Sequence, residues 1–167
     1  MLATSLFDEP AFLYCIVGGM LLAEDGRKLS KRLRNYPDPA KMLASYGADA
    51  LRLYLLNSAA MKAEELRLSE SGMNQSLRDV IIPLWNAYSF FVTYANIDQY
   101  DPSTPAPPVK DRPELDRWIL SELNSLVIGV TEAFERFTPD DAAHQSEQFI
   151  EYLSNWYVRR SRRRFWK

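Results

Sequence analysis

The segment Asp101-Pro102-Ser103-Thr104-Pro105-Ala106-Pro107-Pro108 limits the folds open to this chain more than any other. Each proline fixes its own φ and lacks an N–H, so neither a helix nor a sheet ladder can run through the stretch. It is expected to be an extended, semi-rigid connection between helices of one bundle. Before it, Ser69 opens a long helix in which Leu77, Val80, Ile81, Leu84, Trp85, Tyr88, Phe91, Val92 and Ala95 recur every three or four residues. That spacing predicts one buried stripe, with Trp85 and Tyr88 in the core and a bend at Pro83. After it, Pro113 begins a helix running through Trp118, Ile119, Leu123, Leu126, Val127 and Val130 toward Phe137. Thr138-Pro139-Asp140 caps another that continues to the chain end.

The region before Ser69 is shorter in its elements. Asp38 and Pro39 read as the N-cap and first position of a helix reaching Tyr46, which Gly47 ends, and Asp49 to Asn57 forms a second with Leu51, Tyr54 and Leu55 on one face. Ala63 to Leu68 reads as a polar crossing. Further back, the apolar runs Ala11–Val17 and Met20–Leu22, separated by Gly18-Gly19, read as two strands, which alone would be marginal in water. The fold class is therefore mainly α with a short two-strand remnant. With 47% hydrophobic and 13% aromatic residues, 167 residues suffice for an ordinary core.

No apolar run approaches the roughly 20 residues needed to cross a bilayer. The opening residues lack the charged start of a signal peptide. A cytoplasmic protein without membrane contact is expected. Cys15 is the only cysteine and lies in an apolar run, so it reads as a buried packing thiol; alone it builds neither a disulfide nor a zinc site. His144, the only histidine, falls on a polar helix face and reads as solvated or packed within the bundle rather than as a catalytic base.

Charge is unevenly distributed. The overall net charge is −2, yet residues 24–34 hold five basic and two acidic groups, net +3, and residues 159–167 hold six basic groups and no acid, net +6, which leaves −11 on the remainder. Two basic islands on an acidic body imply directed contacts with anions. In the first island, Lys28 and Lys31 lie three residues apart around Ser30, and Asp25-Gly26 supplies a turn and freedom to close. A compact turn there could aim two ammonium groups, a hydroxyl and main-chain N–H groups at one phosphate chain. Taken alone, such a loop reads more readily as a solvated charge run than as a nucleotide site. In the second island, the stripe Phe149, Leu153, Trp156 is continued on the same face by Arg160, Arg163 and Arg164. These arginines complement a helix C-terminus, and interleaved with Trp156, Tyr157, Phe165 and Trp166 they also suit phosphate pairing and base stacking.

Lys28-Leu29-Ser30-Lys31 resembles the KMSKS loop of class I aminoacyl-tRNA synthetases, with Leu29 where methionine is common and Arg32 where serine is frequent. The continuation Asn35-Tyr36-Pro37-Asp38-Pro39, then Tyr46-Gly47-Ala48-Asp49-Ala50-Leu51-Arg52, is similar to the isoleucine-specific branch of that family. So are Pro83 to Phe91 and Ser154 to Trp166. Leucine for methionine is a near-isosteric apolar exchange, and neither departure removes a lysine.

The resemblance implies a division into residues 1–36, the end of a Rossmann-type catalytic domain with the loop; 37–68, a connecting helical segment; and 69–167, an incomplete anticodon-binding helix bundle. It implies that Lys28 and Lys31 are catalytic, that Lys28, Ser30 and Lys31 bind ATP with its Mg2+, and that the partners are ATP, isoleucine and tRNA(Ile). It assigns tRNA contact to Asn86, Arg160, Arg163, Arg164 and Trp166, with no metal site. Asn86 is off the apolar stripe and reads equally as a solvated side chain, and some of the arginines could dock the bundle onto the catalytic domain instead. The paired-histidine HIGH element of such enzymes does not fit a chain with one histidine, so an internal stretch of a longer ligase, inactive alone, is expected. A valine- or leucine-specific relative, and a stand-alone RNA-binding helical adaptor with a vestigial loop, are the alternatives.

Overall fold

The computed structural model describes residues 2–166. In chain order these form helix α1 (Leu2–Phe7), strand β1 (Leu21–Leu22), helix α2 (Pro39–Leu56), strand β2 (Leu66–Arg67), then α3 (Glu70–Ser76), α4 (Ile82–Ile97), α5 (Glu114–Glu135), α6 (Pro139–Glu151) and α7 (Arg159–Ser161). The molecule is mainly helical, as the sequence predicts.

The strand pair differs from expectation. Residues 11–17 are irregular, and Phe12, Leu13, Tyr14, Ile16 and Val17 are exposed. Tyr14 of this run meets the Phe137 ring at 5.2 Å, but Cys15 is exposed rather than buried. Only Leu21 and Leu22 of the second run form a strand, and its partner is the crossing after residue 63: Leu21 pairs with Leu66 and Leu22 with Arg67, in parallel. The cause lies at Gly19. Its N–H donates to the Ala60 carbonyl at 2.7 Å, and a Cβ there would stand 1.6 Å from the Glu64 carbonyl oxygen. Only glycine permits that approach, which lays the chain beside residues 64–68 instead of turning it back on itself.

Helix starts follow the sequence closely. Asp38 Oδ1 accepts from the Ala40 N–H at 2.9 Å with Pro39 in the first turn, and Ser69 Oγ accepts from the Gly72 N–H at 3.2 Å. α2 is kinked at Gly47, where φ is 79°. Thr138 departs from its expected role: it caps no amide of α6, and its hydroxyl donates to the Ala133 carbonyl at 3.1 Å, closing the end of α5. Residues 101–108 contain no regular element, and Asp101 accepts from both the N–H and hydroxyl of Ser103.

α3 does not pass directly into α4. A π-helical turn, Leu77–Ile81, intervenes. Pro83 has no N–H to return to residue 79, and its ring crowds that carbonyl, so the chain widens just ahead of it. The inserted residue shifts the helical phase. Val80 and Ala87 are buried, whereas Leu84, Trp85, Tyr88 and Phe91 are exposed, Trp85 by 64%. The expected core positions of Trp85 and Tyr88 are thus corrected: a spacing analysis assumes an uninterrupted period of 3.6 residues, which the π turn breaks.

The best-buried cluster comprises Met42, Leu68 and Met73, with Tyr46, Leu51, Tyr54 and Leu55 packed on it. Tyr54 ties this cluster to β2, its hydroxyl donating to the Arg67 carbonyl at 3.1 Å and accepting from the Ser69 N–H at 3.3 Å. A second apolar layer lies where α5 meets α6, through Ile119, Ala133, Ala142, Ala143 and Ile150. Among the described residues no helix is long and apolar enough to cross a membrane.

Candidate functional site: a basic loop and an arginine-rich helix end

The loop grows directly from β1. Leu22 and Ala23 are buried, Leu22 bridges back to Lys28 in antiparallel fashion, and the Ala23 N–H donates to the Arg27 carbonyl at 2.8 Å. The turn between them closes at Gly26, whose φ of 79° suits a residue without Cβ. Asp25 accepts from the Arg27 N–H at 3.0 Å and from its guanidinium at 2.7 Å, and these bonds lower the Asp25 pKa. Arg27 is thereby engaged within the turn.

Lys28 and Lys31 are not. Both are exposed, and among the described residues neither has a carboxylate within 4.0 Å. The main chain between them is held firmly. The Ser30 carbonyl accepts from the Arg34 N–H at 2.9 Å and its Oγ from the Leu33 N–H at 3.4 Å, forming a single turn that ends with Arg34 at φ 47°. That turn brings Asn35 back under the loop, where Oδ1 accepts from the Ser30 N–H at 2.9 Å and Nδ2 donates to the Lys28 carbonyl at 3.1 Å. Two cations and a hydroxyl proton are left facing outward on a fixed backbone, an arrangement suited to a polyphosphate.

The arginine-rich end follows a second π-helical segment, Tyr152–Val158, after which α7 and a 3-10 turn, Arg162–Arg164, complete the described chain. Its arginines have different surroundings. Arg164 forms a bidentate pair with Asp116 of α5, its Nη2 at 2.9 Å from Oδ2. The guanidinium holds the Asp116 carboxyl below the usual carboxylate range against the opposing effect of burial, and the Tyr157 hydroxyl assists. Burial, then Asp116, raises the Tyr157 hydroxyl. Arg160 lies over the Trp156 ring at 4.7 Å and Arg162 over Phe90 at 5.9 Å. Arg163 is exposed with no carboxylate within 4.0 Å among the described residues.

Trp166 Nε1 donates to the Tyr94 hydroxyl at 2.8 Å, and Phe165 meets Phe90 and Tyr94 edge-on and tilted at 5.1 and 5.8 Å. Asn86 is exposed on α4, one turn before Phe90. The structure therefore brings the helix end carrying Arg160, Arg163, Arg164 and Trp166 beside the helix of Asn86. Among the described residues no hydrogen bond or ion pair joins this group to the basic loop, so the two basic islands are separate features.

Sequence reasoning missed Asn35 and Asp116. Asn35 was visible only as part of a motif's wording; an amide side chain five and seven residues from its main-chain partners carries no signal until the turn is seen. Asp116 lies in a first helical turn, where an acid is ordinary. A cleft of about 790 Å3 is lined by Asp79, Glu147 and Glu151 against Arg78, which makes it a poor phosphate site. His144 stands at its edge, exposed and 3.9 Å from Glu147. Among the described residues, no group of three or more His, Cys, Asp or Glu side chains could hold a metal ion.

Residues 1–67 match the family model for tRNA synthetases class I (I, L, M and V), and residues 116–167 match that for the anticodon-binding domain of tRNA ligase. The chain is 49% identical over its whole length to an isoleucine–tRNA ligase of Treponema denticola, and 51% identical over 99% of its length to one of Chlamydia trachomatis. It spans 16% of the length of each. Among solved structures it is similar to the agnB2 LeuRS of Agrobacterium radiobacter K84 in a ternary complex with tRNA and LeuAMS, with a TM-score of 0.66 and 26% identity over 92% of this chain and 20% of the other. The loop, the helical bundle and these relatives together place the chain in the class I tRNA synthetase family, similar to a stretch of the isoleucine–tRNA ligases.

Proposed function

We propose that this chain supplies two parts of an isoleucine–tRNA ligase: the loop that grips the polyphosphate of ATP and part of the surface that holds the anticodon stem-loop of tRNA(Ile). The ligase joins isoleucine to the α-phosphate of ATP with loss of pyrophosphate, then transfers it to tRNA. Residues 1–36 belong to the end of the catalytic domain, 37–68 connect, and 69–167 begin the anticodon-binding bundle. The setting is cytoplasmic. The observation that carries the reading is the loop, in which two exposed lysines, without acidic partners among the described residues, flank Ser30 on a hydrogen-bonded backbone.

Attack on the α-phosphate puts new negative charge on the non-bridging oxygens and on departing pyrophosphate. Ammonium groups already in place stabilise that charge without reorganising, the largest contribution open to a protein in phosphoryl chemistry. Lys28 and Lys31 take this role and Ser30 donates its hydroxyl proton. ATP arrives with its own Mg2+. At the other island, Arg160 and Arg163 meet phosphates and Asn86 faces the stem-loop. Arg164 and Trp166, with partners inside the protein, shape the surface around them.

The test is isoleucine-dependent ATP–pyrophosphate exchange by a full-length ligase carrying residues 1–167 as its corresponding stretch. Lys31→Ala is expected to lower kcat about a hundredfold or more. Wild-type exchange by that variant would remove the loop from the chemistry. The 167-residue chain alone is expected to give no exchange.

A further inference from the structure

The lysines of the loop are useful only if the backbone between them holds its shape, and one side chain does this. The Lys28 carbonyl and the Ser30 N–H converge on the Asn35 amide at 3.1 and 2.9 Å. An amide carries a donor and an acceptor at one end, so it can satisfy a C=O and an N–H together; aspartate lacks the donor, and glutamine has the pair one carbon further out. The return path to Asn35 is itself constrained, through the Arg34 N–H bonded to the Ser30 carbonyl and the left-handed turn at Arg34. Asn35 is half-buried: its bond from the Ser30 N–H is partly shielded from water, and its bond to the Lys28 carbonyl is exposed.

We propose that Asn35 is a positioning residue for the activation step. Its amide fixes the geometry from Lys28 to Ser30, so that Lys28 and Lys31 meet the polyphosphate of ATP on a loop ordered beforehand. This rests on the assignment of the loop to polyphosphate. It adds that the ordering comes from a side chain outside the loop, which touches neither substrate nor cation. Without Asn35 both lysines keep their charge, and ATP is still attracted. What is lost is alignment at the moment when charge develops, and a loss confined to the transition state lowers kcat more than it raises KM.

The experiment is the same pyrophosphate exchange in the full-length ligase, comparing Lys31→Ala, Asn35→Ala and Asn35→Asp, with hydrogen exchange at the Ser30 amide and tRNA binding measured in parallel. Asn35→Ala is expected to lower kcat about a hundredfold, the scale of a small misplacement of reacting groups. The KM for ATP should change much less, the Ser30 amide should exchange faster, and tRNA binding should be unaltered. If Lys31→Ala cripples exchange and Asn35→Ala leaves kcat intact, the positioning role is overturned and the phosphate-gripping loop stands. If Lys31→Ala itself leaves exchange intact, the loop assignment falls and the role of Asn35 with it. Should the alanine change disturb folding, Asn35→Asp decides: it keeps size and the acceptor to Ser30, deletes the donor to Lys28 and adds a negative charge, whose repulsion of ATP would show separately as a raised KM. A reduced kcat at an unchanged melting temperature supports the proposal, and a wild-type kcat overturns it.

Discussion

Asp116 ties the first turn of α5 to the arginine-rich end of the chain. Its carboxylate is nearly buried yet charged, because Arg164 and Tyr157 supply the bonds that water would have supplied. Its pKa in the folded protein lies below its unfolded value of about 3.9. The stability it contributes is therefore complete above that value and disappears as pH falls through the folded value. Asp116→Asn should destabilise the chain by about 2 kcal/mol at neutral pH, between the figures for exposed and buried pairs because Arg164 is half-exposed. It should also flatten the acid side of the stability curve, which urea titrations at pH 3 to 7 would read. Ser161 presents the opposite case, a buried hydroxyl with no partner among the described residues. Ser161→Ala removes an unsatisfied group and should raise stability by up to about 1 kcal/mol; a lowered melting temperature would mean that the hydroxyl has a partner. Neither property is written in the local sequence, since a partner 48 residues away decides the first and the absence of any decides the second.

Among elements, the parallel pair β1–β2 is the smallest and the most exacting. It brings the loop's base against the connecting segment, and it depends on the contact of Gly19 with residues 60–64. Gly19→Ala would drive a methyl group into the Glu64 carbonyl, so a loss of about 2–4 kcal/mol is expected, with release of the Ala60 hydrogen bond. Denaturant unfolding of the variant checks this, and near-wild-type stability would show that the approach is looser than described. The second joint is Lys62, 3.0 Å from Asp140 at the start of α6. Helix starts at Asp38 and Ser69 and the proline-rich connection were legible because local chemistry decides them, and Gly47, read as a helix end, is a kink inside α2. The strand partner and the exposed face of α4 were not. The first depends on a close approach between distant segments, and the second on a π turn whose trigger, Pro83, reads in sequence only as a bend.

At the level of the whole molecule, charge and apolar surface both point outward. Arg160 lies over Trp156 and Arg163 is exposed, on a chain that is acidic outside its two basic islands, so the proposed tRNA binding should weaken with salt, by a slope of about 0.7–0.9 per phosphate contacted. Arg163→Ala should reduce that slope by about one such step, while Arg164→Ala should chiefly lower stability, through the orphaned Asp116. Filter binding across a salt series separates the two, and an unchanged slope for Arg163→Ala would remove that residue from the RNA face. The basic islands were legible as charge counts, and so was the resemblance of the loop. Which arginines are engaged inside the protein was not, because identical residues in one run differ only in what folds against them.

The parallel pairing also has a meaning in time. Leu21 waits for Leu66, 45 residues further along. At a synthesis rate of about 5–20 residues per second, the β1–β2 pairing beneath the loop is missing on the ribosome for roughly two to nine seconds after Leu21 has been made. During that interval the lysines sit on a nascent chain that lacks this pairing, and the pairing can be complete before the helices after residue 69 have been made.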